Sequence, residues 1–186
     1  MQNSKLDKEL QKNGDSRNVV DKYRFWKNSA IKSDMQKNAR DFEVAVENLE
    51  RDFNIGSIIR TSNAFGVKAF HTVGRKSINR RGAMVTDKYI NMNHFSTAEE
   101  FANYANKNGA SIIGVDILEG VSKPIEDFAF PKNSILFFGS ESDGLSKSAQ
   151  SICKEIVHIS QFGSTRSINV GAAAAVAMYA LSLQLK

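Results

Sequence analysis

The chain alternates between short apolar runs and segments with helical spacing. Phe42, Val44 and Val46 alternate with polar residues, which is typical of a strand. Residues 111–117 and 134–138 are nearly continuous apolar runs, as in strands that are buried on both faces of a parallel sheet. With helical segments between the strands, the pattern predicts an α/β fold with a mostly parallel sheet flanked by helices.

Small polar residues predict where two of the helices begin. Ser167 precedes a run of Gly and Ala residues, and we expect its hydroxyl to cap a C-terminal helix. Asn54 is expected to cap a helix over residues 55–65 in the same way. The spacing of this second helix predicts a buried face made of Ile55, Ile58, Ile59 and Ser62.

The net charge of +5 is concentrated at one end of the chain. Residues 1–40 hold ten Lys or Arg against five Asp or Glu, whereas residues 41–186 hold fifteen of each. We therefore divide the chain into a basic N-terminal arm, 1–40, that is partly disordered or forms short helices, and a domain over 41–186. Such an arm often contacts nucleic acid, and the alternative is a solvated tail.

Several classes of protein receive no support from the composition. The sequence has no run of 18 apolar residues and no apolar signal core, so we expect a cytoplasmic protein without a membrane span. Its single cysteine, Cys153, excludes an intrachain disulfide. The three histidines lack partners at metal-ligand spacing, so no metal site is predicted.

Three segments stand where a predicted strand meets a turn or helix, the edge at which parallel sheets bind ligands. They are residues 54–60, 138–146 and 163–171. None contains the G-x-G-x-x-G or P-loop pattern of common nucleotide sites. Each segment alone is weak evidence, because a Gly-rich turn after a strand is common.

Together and in this order, the three segments resemble the motifs of the SpoU-type family, RNA ribose 2′-O-methyltransferases of the SPOUT superfamily. The motifs read Asn54-x-Gly56-x-x-x-Arg60, then Phe138-Gly139-x-Glu141-x-x-Gly144-Leu145-Ser146, then Ile159-x-Gln161-x-Gly163 with Ser167-Ile168-Asn169-Val170. The resemblance extends from about Phe42 to the C-terminus. The chain departs from the usual pattern at Ser140, Ser160 and Gly171.

The resemblance implies a deep C-terminal trefoil knot that holds S-adenosylmethionine (AdoMet) through main-chain groups. It also implies a homodimer in which the first-motif arginine lies near the partner's cofactor. The expected function is transfer of a methyl group to a ribose 2′-hydroxyl of tRNA or rRNA. The alternative is a knotted RNA-binding protein that has lost catalysis and acts in ribosome assembly.

The motifs also assign expected roles to individual residues. The catalytic candidates are Asn54, Arg60, Glu141, Ser167 and Asn169, and the AdoMet-binding candidates are Gly139, Ile159, Gln161, Ser167, Ile168 and Asn169. The RNA-binding candidates are Arg75, Lys76, Arg80, Arg81 and Arg166, most of them in a cationic loop. Alternatives stay open: Glu141 as a surface carboxylate, Ser167 and Asn169 as caps alone, and Arg60 as base or as phosphate anchor.

Overall fold

The computed structural model describes residues 5–49, 51–75 and 86–185, and within them seven strands form one sheet. The strands are β1 Phe42–Glu47, β2 Ala69–Val73, β3 Asn91–Phe95, β4 Ser111–Val115, β5 Lys123–Pro124, β6 Ser134–Phe138 and β7 Glu155–His158. Their order is β3-β2-β1-β6-β4-β7-β5, and every pairing is parallel. The predicted α/β class is confirmed.

Helices cover both faces of this sheet. They are α1 Lys8–Asn13, α2 Asn28–Lys37, α3 Asp52–Ala64, α4 Ala98–Lys107, α5 Lys147–Ile152 and α6 Val170–Gln184. Helices α3 and α6 pack together over one apolar core, whereas α4 and α5 cover a second core on the other face. The predicted buried face of α3 is confirmed, because Ile55, Ile58, Ile59 and Ser62 are all almost fully buried.

Both predicted helix caps are wrong. Helix α6 begins after Asn169, whose side chain accepts hydrogen bonds from the Gly171 and Ala172 amides, so Ser167 is not its cap. Helix α3 begins three residues earlier than expected, and Asn54 lies inside its first turn. In both places a long-range contact of an asparagine side chain, described below, decides the local geometry.

The N-terminal arm packs on the domain over its described residues. Ile31 of α2 is buried, and within the arm Arg17 forms an ion pair at 2.7 Å with Asp15, whose side chain is buried. Arg40 donates hydrogen bonds to the carbonyls of Ser182 and Leu185 near the end of α6. The division between residues 1–40 and 41–186 stays a prediction. Among the helices that the structure describes, none has the length and apolar character needed to cross a membrane.

A buried polar cluster crosses the sheet on the α4 face. His71 Nε2 lies 2.7 Å from Glu43 Oε2, and the Tyr104 hydroxyl donates to the same oxygen at 3.1 Å. Asn93 Nδ2 lies 3.3 Å from His71 Nδ1, and an amide nitrogen can only donate. His71 Nδ1 is therefore the acceptor, so the hydrogen-bond network assigns the ring proton to Nε2, which faces the carboxylate. Burial raises the pKa of Glu43, but the hydrogen bonds from His71 and Tyr104 outweigh it and leave the pKa below its ordinary value.

We expect Glu43→Gln to lower the free energy of unfolding at neutral pH by about 2 kcal/mol, because a buried charge-assisted hydrogen bond is lost. Since the folded-state pKa lies below the ordinary 4.5, the carboxylate stabilises the fold above about pH 4.5. That contribution disappears as the pH falls through the folded-state pKa. Urea unfolding of both proteins over a pH series checks this, with Glu155→Gln in an exposed ion pair as control. A difference in the free energy of unfolding between wild type and Glu43→Gln that stays constant down to about pH 3 would contradict this prediction.

Candidate active site

A cleft of about 590 Å³ lies at the carboxyl ends of β4, β6 and β7. The loops that follow these three strands form its walls, and the first turn of α3 and the segment before α6 complete it. Its volume falls in the range of small-molecule sites, and its position is the edge at which parallel sheets bind ligands. All three motif segments meet in this cleft.

The structure brings most of the predicted site residues together. The residues that line the cleft include Asn54, Gly139, Glu141, Ile159, Gln161, Arg166, Ser167, Ile168 and Asn169. Arg60 is exposed on α3 and is not among the described residues that line it. Arg75 is exposed beyond the end of β2, also outside the lining. Lys76, Arg80 and Arg81 lie outside the described residues.

Three polar side chains from the three motifs form a continuous hydrogen-bonded relay. Asn169 Nδ2 donates to Asn54 Oδ1 at 3.0 Å, and Asn54 Nδ2 donates to Glu141 Oε1 at 2.8 Å. The Arg51 backbone amide donates to the same Glu141 oxygen at 3.2 Å. The relay therefore joins α6, α3 and the loop after β6 at one point of the cleft.

The helix cap fixes the direction of this relay. Asn169 Oδ1 accepts from the Gly171 and Ala172 amides at 2.8 and 3.3 Å, which requires its amide nitrogen to face Asn54. Asn54 must then present its oxygen to Asn169 and its nitrogen to Glu141. Because Asn54 is only 4% exposed, this orientation is held in a water-poor environment.

The loop after β6 closes tightly on itself at Gly139. The Ser140 and Gly144 backbones exchange hydrogen bonds of 2.9 and 3.1 Å. A Cβ atom at position 139 would lie 2.0 Å from the Gly144 carbonyl carbon and 2.1 Å from its oxygen. Only glycine fits at this close approach of two backbone segments, so Gly139 gives the cleft wall its shape.

Asp116 is a site residue that the sequence reasoning missed. It lines the cleft directly after β4, and its Oδ2 accepts from the Leu145 amide at 2.8 Å. Its own amide donates to the Val157 carbonyl at 2.9 Å, so Asp116 ties the ends of β4 and β7 to the loop after β6. An acidic residue immediately after a buried apolar strand was the available signal.

The Gln161 side chain places a hydrogen-bond acceptor without a donor in the cleft, among the described residues. Its Oε1 is buried and has no hydrogen-bond partner among the described residues. A buried acceptor without a partner costs about 1–3 kcal/mol, so a ligand that donates to it gains that energy. With the apolar Ile159 and Ile168 also in the lining, the cleft suits a flat apolar ring that carries an amino group.

The polar side chains that line the cleft carry amide, hydroxyl, carboxylate, guanidinium and imidazole groups. Within residues 5–49, 51–75 and 86–185, no group of three or more His, Cys, Asp or Glu side chains is placed to hold a metal ion.

A parallel sheet with a ligand-sized cleft at its carboxyl edge defines an α/β ligand-binding domain. Residues 41–179 match the SpoU rRNA Methylase family, and this chain belongs to that family. The assignment made from the three motifs is confirmed.

The chain is similar to proteins that modify two kinds of RNA. It is 26% identical over 144 residues to the tRNA (guanosine(18)-2'-O)-methyltransferase of Borreliella burgdorferi, covering 76% of this chain and 66% of that protein. It is 26% identical over 153 residues to the 23S rRNA (guanosine-2'-O-)-methyltransferase RlmB of Acinetobacter baylyi, covering 78% of this chain and 60% of that protein. This chain thus spans no more than about two thirds of either relative.

A solved structure has the same fold. The SpoU methyltransferase AviRb from Streptomyces viridochromogenes, crystallised in complex with the cofactor AdoMet, superposes with a TM-score of 0.71. It is 24% identical, and the match covers 78% of this chain and 58% of that one.

Proposed function

We propose that this protein transfers a methyl group from AdoMet to a ribose 2′-hydroxyl of tRNA or rRNA in the cytoplasm. The relay of Asn169, Asn54 and Glu141 within the cleft carries this proposal, because it unites one polar side chain from each family motif. The activities named for the two relatives support the same reaction.

The cleft fits AdoMet as the cofactor. When bound, AdoMet supplies a methyl group made electrophilic by the attached sulfonium. The unpaired Gln161 Oε1 suits the adenine amino group, and Ile159 and Ile168 suit its ring. The tight turn at Gly139 leaves backbone groups at the cleft wall, where a cofactor can be held without bulky side chains.

The chain's own residues mainly position the ribose. Methyl transfer requires the 2′-oxygen to be in line with the methyl group, and such positioning lowers a barrier by about 7 kcal/mol or more. Asn54 and Asn169 have fixed amide orientations, and Ser167 adds a hydroxyl to the lining of the cleft. Glu141 holds Asn54 in place and, through Arg51, holds the start of α3.

We propose that Arg60 anchors an RNA phosphate. A guanidinium stays protonated at neutral pH, which makes it a poor base and a good bidentate partner for phosphate. Because Arg60 is exposed and lies outside the cleft of its own subunit, it is suited to act at the cleft of a second copy.

We propose a homodimer formed through the exposed face of α3 and α6. Val176, Tyr179 and Leu183 are exposed at 43%, 57% and 52%, and their spacing forms one stripe along α6. Phe53 and Arg60 lie two turns apart on the exposed side of α3, which packs on α6. A second copy would bury this apolar surface and bring Arg60 into the assembly.

We also propose that the C-terminal segment is threaded as a knot. Strand β7 lies between β4 and β5, two strands that precede it in the chain. The segment after β7 then lines the same cleft as the loops that follow β4 and β6. A trefoil requires a later segment to pass through an earlier loop, and the insertion of β7 between two earlier strands is compatible with such a passage.

The methyl transfer itself is tested with RNA from a strain that lacks the gene. We expect purified protein to bind AdoMet in calorimetry without added metal and to transfer tritiated methyl groups to this RNA. Mapping of 2′-O-methyl sites against the parent strain then identifies the nucleotide. Binding of RNA without binding of AdoMet would instead favour an assembly protein that has lost catalysis.

Tyr179→Asp is expected to convert the dimer to a monomer, since it places a charge in the centre of the apolar stripe. Methyl transfer should decrease when the dimer is lost, because Arg60 of a second copy no longer reaches the cleft. Light scattering with size-exclusion chromatography measures the mass. Val20→Asp changes an exposed apolar residue of the arm and should stay dimeric. A wild-type protein that is monomeric at micromolar concentration would contradict the proposal.

A further inference from the structure

Phe162 is the most exposed large apolar side chain among the described residues. Its relative exposure is 96%, so it adds almost nothing to the packing of the domain. It lies in the segment between β7 and α6, directly after Gln161, which lines the cleft. Phe162 therefore directly follows a residue of the cleft, although it is not itself among the described residues that line it.

The neighbours of Phe162 leave the ring open to a ligand. Gly163, Ser164 and Thr165 are small and exposed, and a Cβ atom at Gly163 would meet no atom within 4 Å. A protein interface needs a contiguous apolar core, as on the exposed stripe of α6. An isolated ring among small polar residues suits instead a flat ligand that covers one face of the ring.

A cation stands close to this ring in the sequence, in the same segment between β7 and α6. Arg166 is exposed and lines the cleft, four residues after Phe162. Proteins that bind single-stranded nucleic acid combine aromatic side chains, on which bases stack, with cations that contact the backbone. Phe162 and Arg166 supply both parts within one loop.

The proposed reaction creates a need for such a surface. A ribose can enter the cleft only if its nucleotide leaves the stack of its neighbours, which costs a few kcal/mol. The neighbouring base then has an uncovered face at the mouth of the cleft. An aromatic ring at that position replaces the lost stacking partner.

We propose that Phe162 is a stacking platform for a base next to the methylated nucleotide, with Arg166 on the adjoining phosphate. The inference rests on the proposed function and deepens it: the substrate is RNA that is single-stranded or unstacked at the target. The ring covers any base, because every base has a π-face, so it contributes affinity without reading the sequence.

The test compares Phe162→Leu, which keeps the apolar bulk but loses the flat face, with Phe162→Trp, which keeps the face. Two probes are used: a short single-stranded RNA carrying 2-aminopurine, and bulk tRNA and rRNA from the deletion strain. We expect the leucine variant to bind the short RNA about 5- to 150-fold more weakly, the range for one stacked base. The fluorescence change of 2-aminopurine should be lost with leucine and kept with tryptophan.

The methylation kinetics separate this role from others. For the leucine variant the KM for RNA should rise, whereas kcat at saturating RNA and the AdoMet affinity should stay unchanged. Val121→Ala, which also removes exposed apolar surface, is the control and should behave as wild type.

Unchanged RNA affinity in Phe162→Leu would overturn the proposal. Loss of AdoMet binding or of the dimer in that variant would also overturn it, since the ring would then belong to the cofactor site or to a subunit interface. If wild-type protein transfers no methyl group but its RNA affinity still depends on Phe162, the stacking role stands and the proposed reaction fails.

Discussion

Asn169→Asp is expected to keep the cap of α6 and to slow methyl transfer by about 100-fold. Aspartate caps a helix as well as asparagine does, and its charge interacts favourably with the helix N-terminus. However, a carboxylate cannot donate to Asn54 Oδ1, which accepts from Asn169 at 3.0 Å in the wild type. If the Asn54 amide flips, its nitrogen can donate to the new carboxylate, but its oxygen then faces Glu141, which cannot donate to it. One hydrogen bond of the relay is therefore lost in either orientation.

The measurement is the single-turnover rate at saturating AdoMet and RNA, together with the melting temperature. Asn169→Ala is the comparison, because it removes both the cap and the relay and should also lose about 1 kcal/mol of stability. If the aspartate variant reacts at the wild-type rate, Asn169 acts as a helix cap alone.

Gly139→Ala is expected to abolish AdoMet binding and to destabilise the domain by 1–3 kcal/mol or more, roughly the cost of overpacking. The added methyl group would lie 2.0 Å from the Gly144 carbonyl carbon and 2.1 Å from its oxygen. Both of these are backbone atoms, which cannot move aside as a flexible side chain could. The loop must therefore open, which moves Glu141 and separates the relay.

Gly163→Ala is the matched control for this substitution. It lies in another motif of the same cleft region, but its Cβ would meet nothing within 4 Å. Calorimetry with AdoMet and urea unfolding on both variants check the prediction. Equal behaviour of the two variants would show that the close approach at Gly139 does not shape the cofactor site.

Local sequence patterns were sufficient to predict strands that are buried on both faces and a helix whose apolar residues are regularly spaced. The apolar strands β4 and β6 were read directly because both their faces are buried, and the apolar spacing of α3 placed its buried face correctly. Strand β3 was not predicted, since it lies at the sheet edge and is rich in Asn and His, residues that the strand pattern does not favour.

The positions of the helix caps needed contacts that no local pattern contains. Ser167 and Asn169 are equally suitable as caps, and the choice was decided by Asn54, which lies 115 residues away in the chain. Asn54 was itself misread as a cap because its real partner, Glu141, is 87 residues distant. Asp116 was missed for the same reason, since its role arises only where two loops meet.

The position of β7 has a consequence for how the protein is made. Until residues 155–158 have left the ribosome, β4 has no partner on one side, and the two residues of β5 have no strand to join. A growing chain would then expose the apolar β4 as an open sheet edge, which is a template for aggregation. Chains that stop before β7 should accordingly be found with chaperones or in aggregates rather than as weak enzymes.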